Sequence, residues 1–274
     1  MKGGLQAQGF TIVEVMIVLA VTGALFISAV LLISGRQNQA EFDQSIRQIQ
    51  AKLQQTINEV STGYYPNMNN FKCSAGAGGP NITGLGSQAQ GTNSGCVFLG
   101  KVMQFRVHDT DPEQFATFTI AGLQKDSSGN EATNLHDAVA TAVAPTSSNP
   151  TMPSVTQSDT LGGGLTTAWM KAGGVDVGAV GFMNSLASYS GGNIVSGSST
   201  ASLVPIVGSS LDKDQNTTAG NIDTYLQSLT GAPAAGDVTI CFASGTTQQS
   251  GLITIGGAGR QLSVTLDIKE GTTC

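Results

Sequence analysis

Three rhythms of apolar and polar residues follow one another along this chain of 274 residues, and each predicts a different element. Residues 12–33 form an apolar run whose only charged member is Glu14. Its uncharged part, 15–33, extends about 28 Å at 1.5 Å per helical residue, close to the ~30 Å thickness of a bilayer's hydrocarbon core, so it predicts one membrane crossing. Gly23 and Gly35 sit within or just after the run, where a helix in water would lose about 1 kcal/mol per Gly relative to Ala. After Arg36 the apolar positions become Phe42, Ile46, Ile49, Leu53, Ile57 and Val60, interleaved with Gln, Asp, Glu, Arg and Lys. Steps of three and four draw one apolar stripe on a continuing helix, which Gly63 and Tyr64-Tyr65-Pro66 stop. The predicted helix covers residues 10–62, about 80 Å long, with a membrane half and an amphipathic half. The stripe has to pack on something. It is short and lacks a sustained heptad, which favours a sheet over coiled-coil self-association.

The third rhythm is that of strands. Residues 238–242, 252–255 and 262–268 are short apolar or alternating runs separated by Gly-rich turns, the pattern of half-buried strands in an antiparallel sheet. Residues 97–107 and 115–121 read as two further strands around the turn-prone Asp109-Thr110-Asp111-Pro112. Apolar material at 175–183 and 194–207 is strand-like, whereas 134–143 and 222–229 read as short helices. Residues 67–95 and 145–164 are rich in Gly, Asn, Ser, Thr and Pro and read as loops.

Composition supports an exported, strand-rich head. Charged residues make up 11% of the chain, well under the quarter or so usual in soluble domains, and there are 36 glycines. A net charge of −6 and a pI near 4.7 lack the basic footprint of a nucleic-acid binder, so no nucleic-acid partner is expected. Cys73, Cys96, Cys241 and Cys274 all follow the membrane run, and an even count in an exported region reads as disulfides. Three connectivities exist. Pairing Cys73 with Cys96 and Cys241 with Cys274 closes a local loop each time and is the favoured one. No C-x-x-C is present and His108 and His136 are the sole imidazoles, which disfavours a structural zinc site.

A carboxylate within a membrane run costs about 2.5–3.5 kcal/mol even on lenient scales, so Glu14 demands a role. The stretch Gly9-Phe10-Thr11-Ile12-Val13-Glu14 ahead of an apolar run resembles the processing site of type IV prepilins. The resemblance covers the first fifth of the chain. It implies cleavage by prepilin peptidase between Gly9 and Phe10, N-methylation of Phe10, and a role for Glu14 in assembly through the new Phe10 amine. The family usually carries Lys or Arg before the glycine; here Gln8 stands there, with Lys2 as the leader's basic residue. Gly23 matches the family's helix-weakening position. The C-terminal order of Gly-rich turn, short strand and Gly-Arg-Gln-Leu-Ser-Val is similar to the end of GspH/FimT-like minor pseudopilins.

The resemblance implies an α+β, type IV pilin-like fold: leader 1–9, membrane and amphipathic helix 10–62, and a disulfide-containing head 63–274 built on an antiparallel sheet. The implied function is that of a structural, minor, tip-located or adhesive pilus subunit without enzymatic activity. Its partners would be other pilin subunits, prepilin peptidase, the assembly platform and the cytoplasmic membrane, and it would move from that membrane to a surface filament. A pseudopilin of a type II secretion or DNA-uptake system is the alternative, and a membrane-anchored binding domain or enzyme is a more distant one.

Remaining motifs carry less. Asp212, Asp214, Asn216, Thr218 and Asp223 stand at positions 1, 3, 5, 7 and 12 of an EF-hand-like numbering, a spacing of oxygen ligands suited to Ca²⁺. Thr217 occupies the place of the loop's glycine and Asp223 that of its bidentate Glu, so a polar turn before a helix explains the same residues. Some pseudopilins bind Ca²⁺ in a late loop; otherwise no cofactor is expected. Gly95 to Val102 has P-loop-like Gly/Lys spacing but lacks the hydroxyl for Mg²⁺, and Ser210-x-x-Lys213 lacks its partner motifs. His108 with Asp109 and Asp111 reads as a surface turn. Trp169 and Tyr189 are binding aromatics or core, and Asn81 and Asn216 begin glycosylation sequons.

Overall fold

The computed structural model describes residues 11–63, 72–76, 78–83, 95–105, 112–143, 156–184, 201–207, 219–230, 236–245, 248–256, 262–271 and 274. One helix, α1 (Ile12–Ser61), runs unbroken through both apolar rhythms, close to the predicted 10–62. It ends at Thr62, whose N–H donates to the Asn58 carbonyl, followed by Gly63 at φ +64°. That left-handed conformation suits a glycine and closes the helix. Every member of the predicted stripe, from Phe42 to Val60, is buried at 6% exposure or less.

The stripe is buried by two sheets rather than the single one expected. The first contains β3 (Cys96–Phe105), β4 (Gln114–Leu123), β5 (Thr141–Val143), β6 (Thr156–Thr160), β9 (Ala179–Met183) and β10 (Ser202–Ile206). Its order is β10-β9-β3-β4-β5, with β6 pairing along the other part of β4. The second holds β7 (Leu165–Ala172), β8 (Val175–Asp176), β11 (Val238–Ser244), β12 (Gln249–Gly256) and β13 (Ser263–Glu270), in the order β13-β12-β11-β7-β8. All pairings are antiparallel. The strands β1 (Lys72–Gly76) and β2 (Gly79–Thr83) form a separate hairpin.

Alternation along the strands builds two cores. The inner core joins the stripe of α1 to Met103, Phe105, Val180 and Phe182 of the first sheet and to Val238, Ile240, Phe242, Ile253 and Ile255 of the second. Phe105 bridges the sheets, stacked on Phe115 and edge-on to Phe242, each at 5.7 Å between ring centroids. Residues of opposite parity, among them Val102, Phe118, Ile120, Met183 and Val204, face an outer core covered by α2 (Ala219–Gln227) and by Ala132, Leu135, Ala138 and Ala140. The Ile46 side chain of α1 reaches the second sheet at Gly251, where a Cβ would lie 1.8 Å from Ile46 Cδ1. Polar ties fix the helix along its length: Gln50 donates to the Val264 carbonyl (3.1 Å), Lys52 approaches Asp159 (3.9 Å), and Glu59 pairs with Lys101.

Several expectations need correction. Residues 134–143 are not a helix. They make turns through 134–139 and then β5, with the Ala138 N–H returning to Asn134 and the Ala140 N–H to Leu135. The supposed loop 145–164 contains β6, a polar strand whose backbone, rather than its side chains, earns its place beside β4. The loop 67–95 contains the β1–β2 hairpin. The run 175–183 divides between β8 and β9, which belong to different sheets. From 194–207 the described strand is β10, while α2 corresponds to the helix expected at 222–229.

Candidate functional site: the uncovered apolar helix

The first half of α1 starts with local chemistry. Thr11 is its N-cap, in extended conformation, and its Oγ1 accepts the Glu14 N–H at 3.3 Å. Thr followed by Glu three residues later is the residue pattern of a capping box, and the negative charge in the first turn complements the helix dipole. Gly9 and Phe10 lie outside the described residues, so the expected pairing of Glu14 with the Phe10 amine is not on view. Among the described residues no ion pair reaches Glu14.

From Ile12 to Val30 the helix is apolar for 19 residues, and among the described residues nothing buries any of that length. Twelve large side chains, from Ile12 to Val30, are exposed there. At roughly 1.5–3 kcal/mol for each fully buried apolar side chain, leaving them in water forgoes on the order of 20–30 kcal/mol. Its hydroxyls add no demand for water: Thr22 Oγ1 donates to Val18 O (2.8 Å) and Ser28 Oγ to Ala24 O (2.9 Å). A helix with its backbone bonds made and its hydroxyls returned to its own carbonyls meets the requirement for lying in hydrocarbon. By length and composition the segment is able to cross a membrane, as an anchor or a signal sequence. Gly23 is within the continuous helix with nothing within 4 Å of where a Cβ would be.

The cysteines close the other end of the chain. Cys241 on β11 is joined to Cys274, with Cα atoms 5.9 Å apart. Cys96 is also disulfide-bonded, and the side chain of Cys73 lies outside the described residues. Trp169, opposite Cys241 on β7, donates its Nε1–H to the Cys274 carbonyl (3.3 Å), and Lys171 Nζ lies 5.3 Å from its ring centroid. The one tryptophan therefore packs the C-terminal bridge onto the second sheet.

Asp212, Asp214, Asn216 and Thr218 lie outside the described residues, as do His108, Asp109, Asp111, Tyr189 and Asn216's sequon; Asn81 is exposed on β2. Asp223 is on α2, where its Oδ1 accepts the Ala142 N–H of β5. Burial pushes its carboxyl up to about 6, against the opposing pull of that hydrogen bond. Among the described residues no group of three or more His, Cys, Asp or Glu side chains is placed to hold a metal ion. Sequence reading passed over Glu59, Lys101 and Asn184, three polar residues that the fold buries wholly or in part. For Lys101 a signal was available: a lone charge in the otherwise apolar Val97-Phe98-Leu99-Gly100-Lys101-Val102-Met103.

No family model, no curated protein and no solved structure matches the chain.

Proposed function

We propose that this chain is a structural subunit of a type IV pilus or pilus-like filament. On this reading the chain is cut between Gly9 and Phe10, held in the cytoplasmic membrane by the first half of α1, and assembled with its two-sheet head outside. The observation that carries the reading is the division of one continuous helix. The apolar stripe of its second half is buried by its own head, while Ile12–Val30, with Glu14 in the opening turn, is covered by none of the described residues. A membrane covers that half before assembly, and the equivalent helices of neighbouring subunits cover it afterwards. Glu14 then meets the Phe10 amine of its own or an adjacent chain, which neutralises a carboxylate in an apolar setting and sets axial register. Removing one partner of such a pair leaves an uncompensated charge, about 3–5 kcal/mol in buried settings.

The test is Glu14→Ala, followed by cell fractionation and recovery of sheared surface filaments. Membrane insertion should be equal or better, because a carboxylate leaves the hydrocarbon region. Processing to Phe10 should continue and incorporation into filaments should fall. Wild-type incorporation of the variant would reduce Glu14 to a passenger in a plain anchor and remove the reading's main support.

A further inference from the structure

No further inference is drawn: the strongest candidate, the polar cluster that seats α2 on β5 and the turns before it, where Asp223 and Gln227 meet the backbone of Ala142 and Ala140 and His136 meets the Gln227 carbonyl, would act as a pH-sensitive cover of the outer core only through the raised carboxyl of Asp223, and nothing else in the structure shows that α2 opens.

Discussion

The crossing of α1 over β12 makes the sharpest test of the packing. Gly251 is buried on β12, and a Cβ added there would sit 1.8 Å from Ile46 Cδ1, 3.3 Å from Ile46 Cγ1 and 3.7 Å from Phe42 Cζ. Only the first distance is impossible, and it involves the far end of a side chain. Gly251→Ala therefore forces Ile46 from its rotamer or the helix from the sheet, an overpacking cost of about 1–3 kcal/mol. Loss of backbone freedom in the unfolded chain offsets up to about 1 kcal/mol of that. Ile46→Val alone deletes Cδ1 and should cost about 0.5–1.5 kcal/mol. In the double variant the new methyl occupies the space that Cδ1 vacated, so the combined loss should fall short of the sum by about 1 kcal/mol or more. Urea unfolding of the full chain in detergent measures this, read from the single tryptophan, Trp169, which lies on the same sheet as β12. Effects that add to within a few tenths of a kcal/mol would mean that Gly251 does not face Ile46.

Two further outcomes follow from the head. Asp223, raised from its ordinary 3.8 to about 6 by burial, binds its proton more tightly folded than unfolded, so its contribution is favourable at low pH and is lost as pH rises through about 6. Asp223→Asn retains an oxygen for the Ala142 N–H. It should therefore be more stable than wild type at neutral pH by about 1 kcal/mol, the nominal 1.36 kcal/mol per unit being discounted for partial exposure. The advantage should shrink toward pH ~4, and urea midpoints whose difference is the same at both pH values would rule this out. Replacing Cys241 and Cys274 by Ser opens a loop of sequence separation 33 and should lower stability by about 3–4 kcal/mol on the chain-entropy model, checked by the same urea unfolding.

Local periodicity made the outline of this protein legible. The unbroken apolar run 12–33, the stripe from Phe42 to Val60 at helical spacing, the stop at Gly63 and the short apolar or alternating tail strands are all local signals, and the structure contains the elements they predict. Periodicity says that a face is buried, and it is silent on what buries it. Two sheets rather than one close on the stripe because β3, β4, β9 and β10 present alternate residues to it as β11 and β12 do, a matter of pairing across the whole chain. The polar β6 is a strand because β4 offers it a free backbone edge, and β8 parts from β9 because each finds its ladder in a different sheet. The same holds for the polar groups. Glu59 and Lys101 are 42 positions apart, and Asp223 and Ala142 are 81 apart. Such separations carry no pattern along the chain, because hydrogen bonds and charges act over a few ångströms of space, and only the folded backbone brings those ends within that range.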